Sequence, residues 1–199
     1  MTDYFALLHE PRRPWLEPES LKQKFLALSA TVHPDRVHNL GEKERAAAQE
    51  RYTELNAAYN CLREPKDRLH HLLQLELGAL PKDIQRIPSD LMDLSLEIGQ
   101  GCREADTFLA EKAKATSPLL QVKFFERGQE LAEKLQPLRQ RVNTLTERLN
   151  EELKEIDAAW PSADSRAAKL ARLEEIYRLF SYFSRWSAQI QERLVRLSF

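Results

Sequence analysis

Apolar residues recur at intervals of three and four along most of this 199-residue chain, and this spacing restricts the fold more than any other feature of the sequence. Such spacing places apolar side chains on one face of an α-helix. The pattern is clearest near the C terminus, where it includes Leu173, Ile176, Phe180, Phe183, Ser187, Ile190, Leu194 and Leu197. Strict alternation of apolar and polar residues, the signal of a half-buried strand, is nearly absent. The sequence therefore predicts an all-α protein.

The composition agrees with long, solvated helices. Charged residues make up 31% of the chain, and 30 Lys and Arg nearly balance 31 Asp and Glu. This balance removes the electrostatic case for nucleic acid or an anionic membrane as a partner. No run approaches the roughly 20 apolar residues of a membrane helix, and no basic and then apolar leader opens the chain. Cys61 and Cys102 form no C-x-x-C pair, so we expect two free thiols in a cytoplasmic protein.

Two helical stripes flank the tripeptide His33-Pro34-Asp35. The stripe before it comprises Leu21, Phe25, Leu28 and Val32, and the stripe after it comprises Ala48, Tyr52, Leu55, Tyr59 and Leu62. Two such helices can pack as an antiparallel hairpin with the connecting residues at one end. Pro34 has no N–H to donate and disfavours the α conformation at His33, so the first helix should end here. The imidazole of His33 and the carboxylate of Asp35 are then expected on an exposed, stiff turn.

Helix boundaries follow from capping residues, prolines and glycines. Residues 3–8 predict one or two helical turns that pack against the hairpin, and Pro18 is expected to begin the next helix. Asn39 with Glu42 three residues later resembles a capping box for the helix after the turn. Pro65 should begin a further short helix, which Gly78 and the nearby Pro81 close.

The remaining residues predict three long antiparallel helices. Pro88, Pro118 and Pro161 stand where helices should begin, and Pro137 lies inside the second pattern as an expected kink or break. Gly99, Gln100 and Gly101 are expected to interrupt or bend the first of these helices. The predicted organisation is a first domain over 1–78, a linker over 79–88 and a C-terminal three-helix bundle over 89–199.

Within this frame the first domain resembles a J-domain. The matching segments occur in the expected order and are Asp3 to Leu8, Leu21 to Phe25, His33-Pro34-Asp35-Arg36, Leu55 to Leu62, and Pro65 to Leu73. The Asp-Tyr-Phe opening, the pattern formed by Pro65, Arg68, Leu72 and Leu73, and the C-terminal three-helix domain are similar to the iron–sulfur cluster co-chaperones of the HscB family.

That resemblance implies a function. Members of the family stimulate ATP hydrolysis by a partner heat-shock chaperone of the seventy-kilodalton class and deliver an iron–sulfur cluster scaffold protein to it. The resemblance implies chaperone binding by His33, Pro34, Asp35, Lys22, Lys24 and Arg36. It implies scaffold binding by Leu91, Met92, Leu96 and Glu97. No catalytic residue, metal or other cofactor is expected, and the protein should be a monomer or a weak dimer.

Other readings of the same residues remain open. His33 and Asp35 could serve as a base and its orienting group, but the sequence offers neither a nucleophile nor a phosphate-binding loop beside them. With His38 they could bind a metal, although a fourth ligand is missing. A structural adaptor that dimerises through the C-terminal heptads is an alternative from a different class. A J-domain co-chaperone with another client is a further alternative.

Overall fold

A computed structural model describes residues 2–37, 39, 41–78, 87–114, 118–162 and 165–198, with the backbone alone for Pro34, Val37 and residues 118–122. The elements in these ranges are helical, as the spacing predicted. They are α1 (Tyr4–Leu7), α2 (Pro18–Thr31), α3 (Pro34–Val37), α4 (Glu42–Arg63), α5 (Pro65–Leu77), a 3₁₀ turn (Ser89–Leu91), α6 (Met92–Lys112), α7 (Pro118–Ala158) and α8 (Arg166–Leu197). Within these same ranges, none of the helices combines the length and apolar character needed to span a membrane.

Contacts divide the chain into two compact units. The first comprises Met1–Lys82 with Asn150–Tyr177, and the second comprises Asp83–Leu149 with Arg178–Phe199. The boundaries drawn from the sequence stay a prediction, and residues 79–86 of the predicted linker lie outside the described residues. The contacts add one point that the sequence did not predict, which is that residues 150–177 pack with the N-terminal region.

Helix α4 is the centre of the first unit and packs against α1, α2, α3 and α5. Leu21 of α2 and Leu55 of α4 are each 1% exposed, so these members of the predicted stripes lie in the interior of the helix pair, whereas Leu28 is only half-buried. Phe25 stacks on Tyr59 with ring centroids 4.4 Å apart, although both residues are only half-buried. Packing of the apolar stripes therefore leaves the residues between α2 and α4 at one end of the pair.

The helix ends of the first unit follow the predictions with one correction. Pro18 and Pro65 begin α2 and α5, and Gly78 ends α5 with a φ of 68°, a left-handed conformation that glycine adopts without strain. Asn39 does not cap α4. The helix begins at Glu42 after Gly41, whose N–H donates to the Glu44 carboxylate at 3.1 Å. The capping interaction thus occurs two residues later than predicted, because Glu44, and not Glu42, reaches back.

The second unit contains α6 and most of α7 and α8, and within it successive helices run antiparallel as predicted. Three ion pairs join α6 to α7 in opposite chain directions: Glu111–Arg127, Glu104–Lys134 and Glu97–Arg141. Arg139 of α7 donates to Gln191 of α8 at 2.7 Å, and Gly128 of α7 lies against the carbonyl of Leu197. The apolar residues of the predicted α8 stripe are buried. Tyr182 and Trp186, which the stripe did not include, are buried as well, whereas Ser187 is only half-buried.

In this part of the chain the predicted helix start at Pro161 is wrong, and so are the predicted breaks at Pro137 and at Gly99 to Gly101, whereas a bend at those places stays a prediction. Helix α7 continues through Pro137 without a break, because Leu135 and Val142, on either side of it in sequence, are both buried. Pro161 does not begin the last helix, which starts at Arg166. Helix α6 continues through Gly99 and Gly101.

Gly101 has a packing reason for its place inside α6. A Cβ atom at this position would lie 3.0 Å from the Leu135 Cδ2 atom and 3.6 Å from the Leu138 Cδ1 atom. The missing side chain therefore lets α6 approach α7 closely, and packing against α7 offsets the roughly 1 kcal/mol by which glycine disfavours a helix.

Candidate functional site

The His33-Pro34-Asp35 turn lies where α2 has ended and α3 begins. The His33 side chain is 43% exposed and that of Asp35 is 90% exposed. The Asp35 N–H donates to the Nδ1 atom of His33 at 3.3 Å, and the ring of His33 meets Tyr52 of α4 edge to face at 5.4 Å. In the neutral imidazole an accepting Nδ1 leaves the proton on Nε2. The turn thus has a defined imidazole orientation beside a solvent-facing carboxylate.

The cations predicted to accompany the turn differ in their surroundings. Lys22 is 53% exposed, and the carboxylate of Glu19, 3.9 Å away, is itself exposed. Arg36 is also exposed. Lys24 lies across the helix from Lys22, since two residues span more than half a helical turn, and its ammonium binds the Glu10 carboxylate at 2.9 Å. The structure therefore brings His33 and Asp35 together and separates the two lysines.

An open turn of this kind is suited to recognition. In the part of the chain that the structure describes, no group of three or more His, Cys, Asp or Glu side chains could hold a metal ion. His38, which the sequence offered as a possible ligand, lies outside those residues. An imidazole and a carboxylate at the surface can instead donate and accept hydrogen bonds with a partner.

The start of α6 supplies a second candidate surface. Some of its apolar residues are buried in the bundle, and others are exposed to solvent. Leu91, Leu94 and Ile98 are buried. Met92 is 42% exposed and Leu96 is 62% exposed, and they share one side of the helix because they are four residues apart. Of the four predicted scaffold-binding residues, Leu91 therefore faces inward, whereas Met92, Leu96 and the exposed Glu97 face outward.

Helix α7 adds cations beside this surface that sequence reasoning missed. Arg141 pairs with Glu97. A groove of about 480 Å³ extends from this pair between the start of α6 and α7, and its lining includes Asp90, Asp93, Leu94, Arg141, Leu145 and Arg148. These α7 residues carry no motif, and only the antiparallel packing of α6 and α7 places them here.

The structure also shows a buried polar cluster around residues 12–15 that the sequence did not reveal. We call it the Arg13–Asp157 cluster, and it consists of Arg13, Trp15, Arg68, Asp157 and Trp160. Arg13 and the Trp15 N–H both donate to the Asp157 carboxylate, with the Arg13 Nε atom 2.8 Å away. Arg68 donates to the carbonyls of Pro14 and Leu62 at 2.8 and 2.7 Å. These hydrogen bonds hold the loop between α1 and α2 in place.

Further contacts define the electrostatics and hydrogen bonding of the cluster. Burial lowers the pKa of Arg68 to about 10, so this guanidinium remains charged at neutral pH. Its charge lies 5.5 Å from the centre of the Trp15 ring, and Lys154 lies 4.9 Å from the same ring centre. The Trp160 indole N–H donates to the Arg12 carbonyl at 2.8 Å. Residues 154–160 of α7 and the turn after it thus contact the N-terminal loop directly.

Sequence comparison relates the chain to proteins called HscB homologues. It is 30% identical over 96 residues to the co-chaperone protein HscB homologue of Chromobacterium violaceum, which covers 48% of this chain and 55% of that protein. The homologue of Bordetella pertussis is 38% identical over 91 residues, or 46% of this chain and 51% of the relative. The chain therefore matches about half the length of these curated relatives. No protein-family model matches it.

Solved structures extend the likeness to the fold of nearly the whole chain. The crystal structure of human co-chaperone protein HscB superposes with a TM-score of 0.66 and 20% identity, covering 96% of this chain and 81% of the human one. HscB from Vibrio cholerae gives a TM-score of 0.65 and 18% identity, covering 96% of each chain. The resemblance predicted from the sequence is thus confirmed, since this chain is similar to HscB co-chaperones in sequence over about half its length and in fold over nearly all of it.

Proposed function

We propose that this chain is a J-domain co-chaperone that stimulates the ATPase of a heat-shock chaperone of the seventy-kilodalton class. The observation that carries the proposal is the exposed His33-Pro34-Asp35 turn at the end of the α2–α4 pair, within a fold like that of HscB. The hydrogen bond between the Asp35 N–H and the His33 ring is exposed, and the Asp35 side chain is 90% exposed, so both side chains can reorient onto a partner at small cost to the fold. Such a protein acts in the cytoplasm and catalyses no reaction of its own.

Positive charge near the turn supports an acidic partner surface. Lys22, Lys24 and Arg36 carry the predicted charges, and Lys22 and Arg36 are exposed. Exposed charges of this kind raise the rate of association more than the final affinity, and their effect weakens as salt is added. The turn itself then provides the contacts that alter the chaperone's ATPase.

The second part of the proposal is delivery of an iron–sulfur cluster scaffold protein through α6. Met92 and Leu96 offer adjacent apolar side chains to the solvent, and Glu97 lies beside them with Arg141. Leu91 is buried, so we assign it the role of holding the start of α6 in place. A partner that covers Met92 and Leu96 would gain apolar contact without disturbing the bundle core.

Replacement of His33 by Gln tests the chaperone part of the proposal. The variant should keep its helical circular dichroism and lose stimulation of the chaperone ATPase, because the side chain serves the complex and not the fold. Steady-state ATP turnover measures the effect. His70→Gln is the matched control, since this histidine lies on α5 beside Tyr177, and it should stimulate like the wild type. If the His33 variant stimulates the ATPase as strongly as the wild type, the assignment is wrong. If the wild type forms a concentration-dependent dimer and stimulates no ATPase, the structural adaptor is favoured instead.

A further inference from the structure

The surroundings of Lys24 separate it from the other cations near the turn. Its ammonium lies 2.9 Å from the Glu10 carboxylate and donates to the carbonyl of His9 at 3.3 Å. Both acceptors belong to the loop between α1 and α2. A charge-assisted hydrogen bond of this length is about twice as strong as one between neutral groups. Lys24 therefore already has two acceptors within its own chain.

The Glu10 carboxylate is buried beside Lys24. Its side chain is only 8% exposed, although the lysine that it binds is 41% exposed. His9, the residue before Glu10, has a left-handed φ of 54°, and both the His9 carbonyl and the Glu10 carboxylate lie within reach of Lys24 on α2. The Glu10 N–H is held in addition by the carbonyl of Phe5 at 2.8 Å. A carboxylate this buried requires a cation nearby.

Lys22 has no comparable partner among the described residues. The nearest carboxylate is that of Glu19 at 3.9 Å, and its side chain is 74% exposed. Water and salt screen such a pair, which contributes little. Two lysines of the same helix thus differ in the charge that an approaching partner would encounter.

We propose that Glu10 masks Lys24 from the partner chaperone, so that the electrostatic contact of α2 is made by Lys22. This inference rests on the proposed chaperone function and adds a limit on affinity that the fold itself sets. The carboxylate cancels most of the field of Lys24 toward an acidic surface, and a partner can use this lysine only after breaking its contact with Glu10. The surface beside the turn is therefore weaker than its number of cations suggests.

The test measures stimulation of the chaperone ATPase against the concentration of the full-length protein at low salt. Glu10→Gln keeps the shape of the side chain and unmasks Lys24, so the half-saturating concentration should fall about two- to fivefold. Glu17→Gln removes the same charge from an exposed position just before α2 and should leave that concentration unchanged. Lys22→Gln should raise it about two- to fivefold.

The double variant Glu10→Gln with Lys24→Gln keeps the proposal testable if the single Glu10 variant folds poorly. It removes both charges and leaves no buried carboxylate alone, so its half-saturating concentration should equal that of the wild type. If the half-saturating concentration of the double variant rises as much as that of Lys22→Gln, Lys24 already binds the chaperone in the wild type, and the proposal that Glu10 masks it is wrong. An unchanged value for a folded Glu10→Gln protein would overturn it as well. Absence of stimulation by the wild type would instead refute the proposed function.

Discussion

The His33 turn and the Arg13–Asp157 cluster both belong to the first unit, and both concentrate charged and aromatic groups in a few residues. They differ in burial. The Asp157 side chain is 6% exposed and binds Arg13, whereas the Asp35 side chain is 90% exposed. In the cluster the polar groups are directed at the protein's own backbone and side chains. At the turn they are directed at the solvent, where a partner can reach them.

The difference in burial has an energetic consequence. A carboxylate removed from water must be compensated by hydrogen bonds or by an opposite charge, and loss of one partner leaves the other uncompensated. An exposed carboxylate is compensated by water whether or not its neighbour is present. Substitutions in the cluster should therefore change the free energy of unfolding, and substitutions at the turn should change binding.

The largest expected effect is that of Arg13→Ala. It removes the charged hydrogen-bond partner of the buried Asp157 carboxylate. Arg13 itself is 40% exposed and the Trp15 N–H still donates to Asp157, so we expect the free energy of unfolding to fall by about 1 to 3 kcal/mol. Unfolding by urea measures the change. At a temperature where the variant remains folded, stimulation of the chaperone ATPase should match that of the wild type.

Arg51→Ala is the matched control for Arg13. Arg51 pairs with Glu54 at 3.4 Å on α4 and is about as exposed as Arg13, at 43% against 40%, but the Glu54 carboxylate is 42% exposed and that of Asp157 only 6%. Its loss should change the free energy of unfolding by no more than about 0.5 kcal/mol. Equal losses from the two arginines would mean that burial does not distinguish the two kinds of ion pair.

The same contrast separates what the sequence could and could not predict. The apolar stripe of α8, the proline starts of α2 and α5, and the glycine end of α5 depend on residues that are neighbours along the chain. The His33–Asp35 contact is likewise local. Asp157 contacts Arg13 across 144 residues, so no local pattern indicates it.

The predictions from sequence were wrong where a residue's own preference against a helix was outweighed by tertiary packing. Pro137 weakens a helix by itself, yet α7 continues because apolar residues on both sides of the proline are buried. Gly101 disfavours a helix in isolation and permits close packing against Leu135 in the bundle. The burial of Leu91 beside the exposed Met92 also depends on which side of α6 the bundle covers. Each of these outcomes is decided by tertiary contacts.

A smaller effect should appear as pH dependence at His71. The Nε2 atom of this buried histidine accepts the N–H of Tyr4 at 3.0 Å, and its ring stacks on Tyr4 and Phe5. Burial lowers the pKa of His71 below 6.5, against the opposing effect of Asp3, and His70 and Arg12 lower it further. Protonation would also remove the acceptor that binds Tyr4.

The sign of the pH dependence follows from this lowered pKa. Well above pH 6.5 the imidazole is neutral in the folded and the unfolded states, so it contributes no slope. Below this pH the unfolded chain takes up a proton that the folded protein resists. The free energy of unfolding should therefore fall as the pH is lowered from 6.5 toward the folded-state pKa. Urea unfolding of the wild type and of His71→Gln across this range measures it, and an equal slope in both proteins would contradict the assignment.

The smallest effect on stability should come from the exposed residues of α6, where binding should change instead. Replacing Met92 and Leu96 together by Ala removes apolar surface that the bundle does not bury, so the free energy of unfolding should change by no more than about 0.5 kcal/mol. If these side chains contact the iron–sulfur scaffold, the variant should bind it more weakly by about 2 kcal/mol or more, close to thirtyfold in Kd. Calorimetric titration of purified scaffold into each protein measures the loss.

Phe125→Ala is the control, because this side chain is 65% exposed on the same unit and should not alter binding. Equal affinity of the double variant and the wild type would move the site to another face of the bundle, and no binding to the wild type would refute the scaffold as its client.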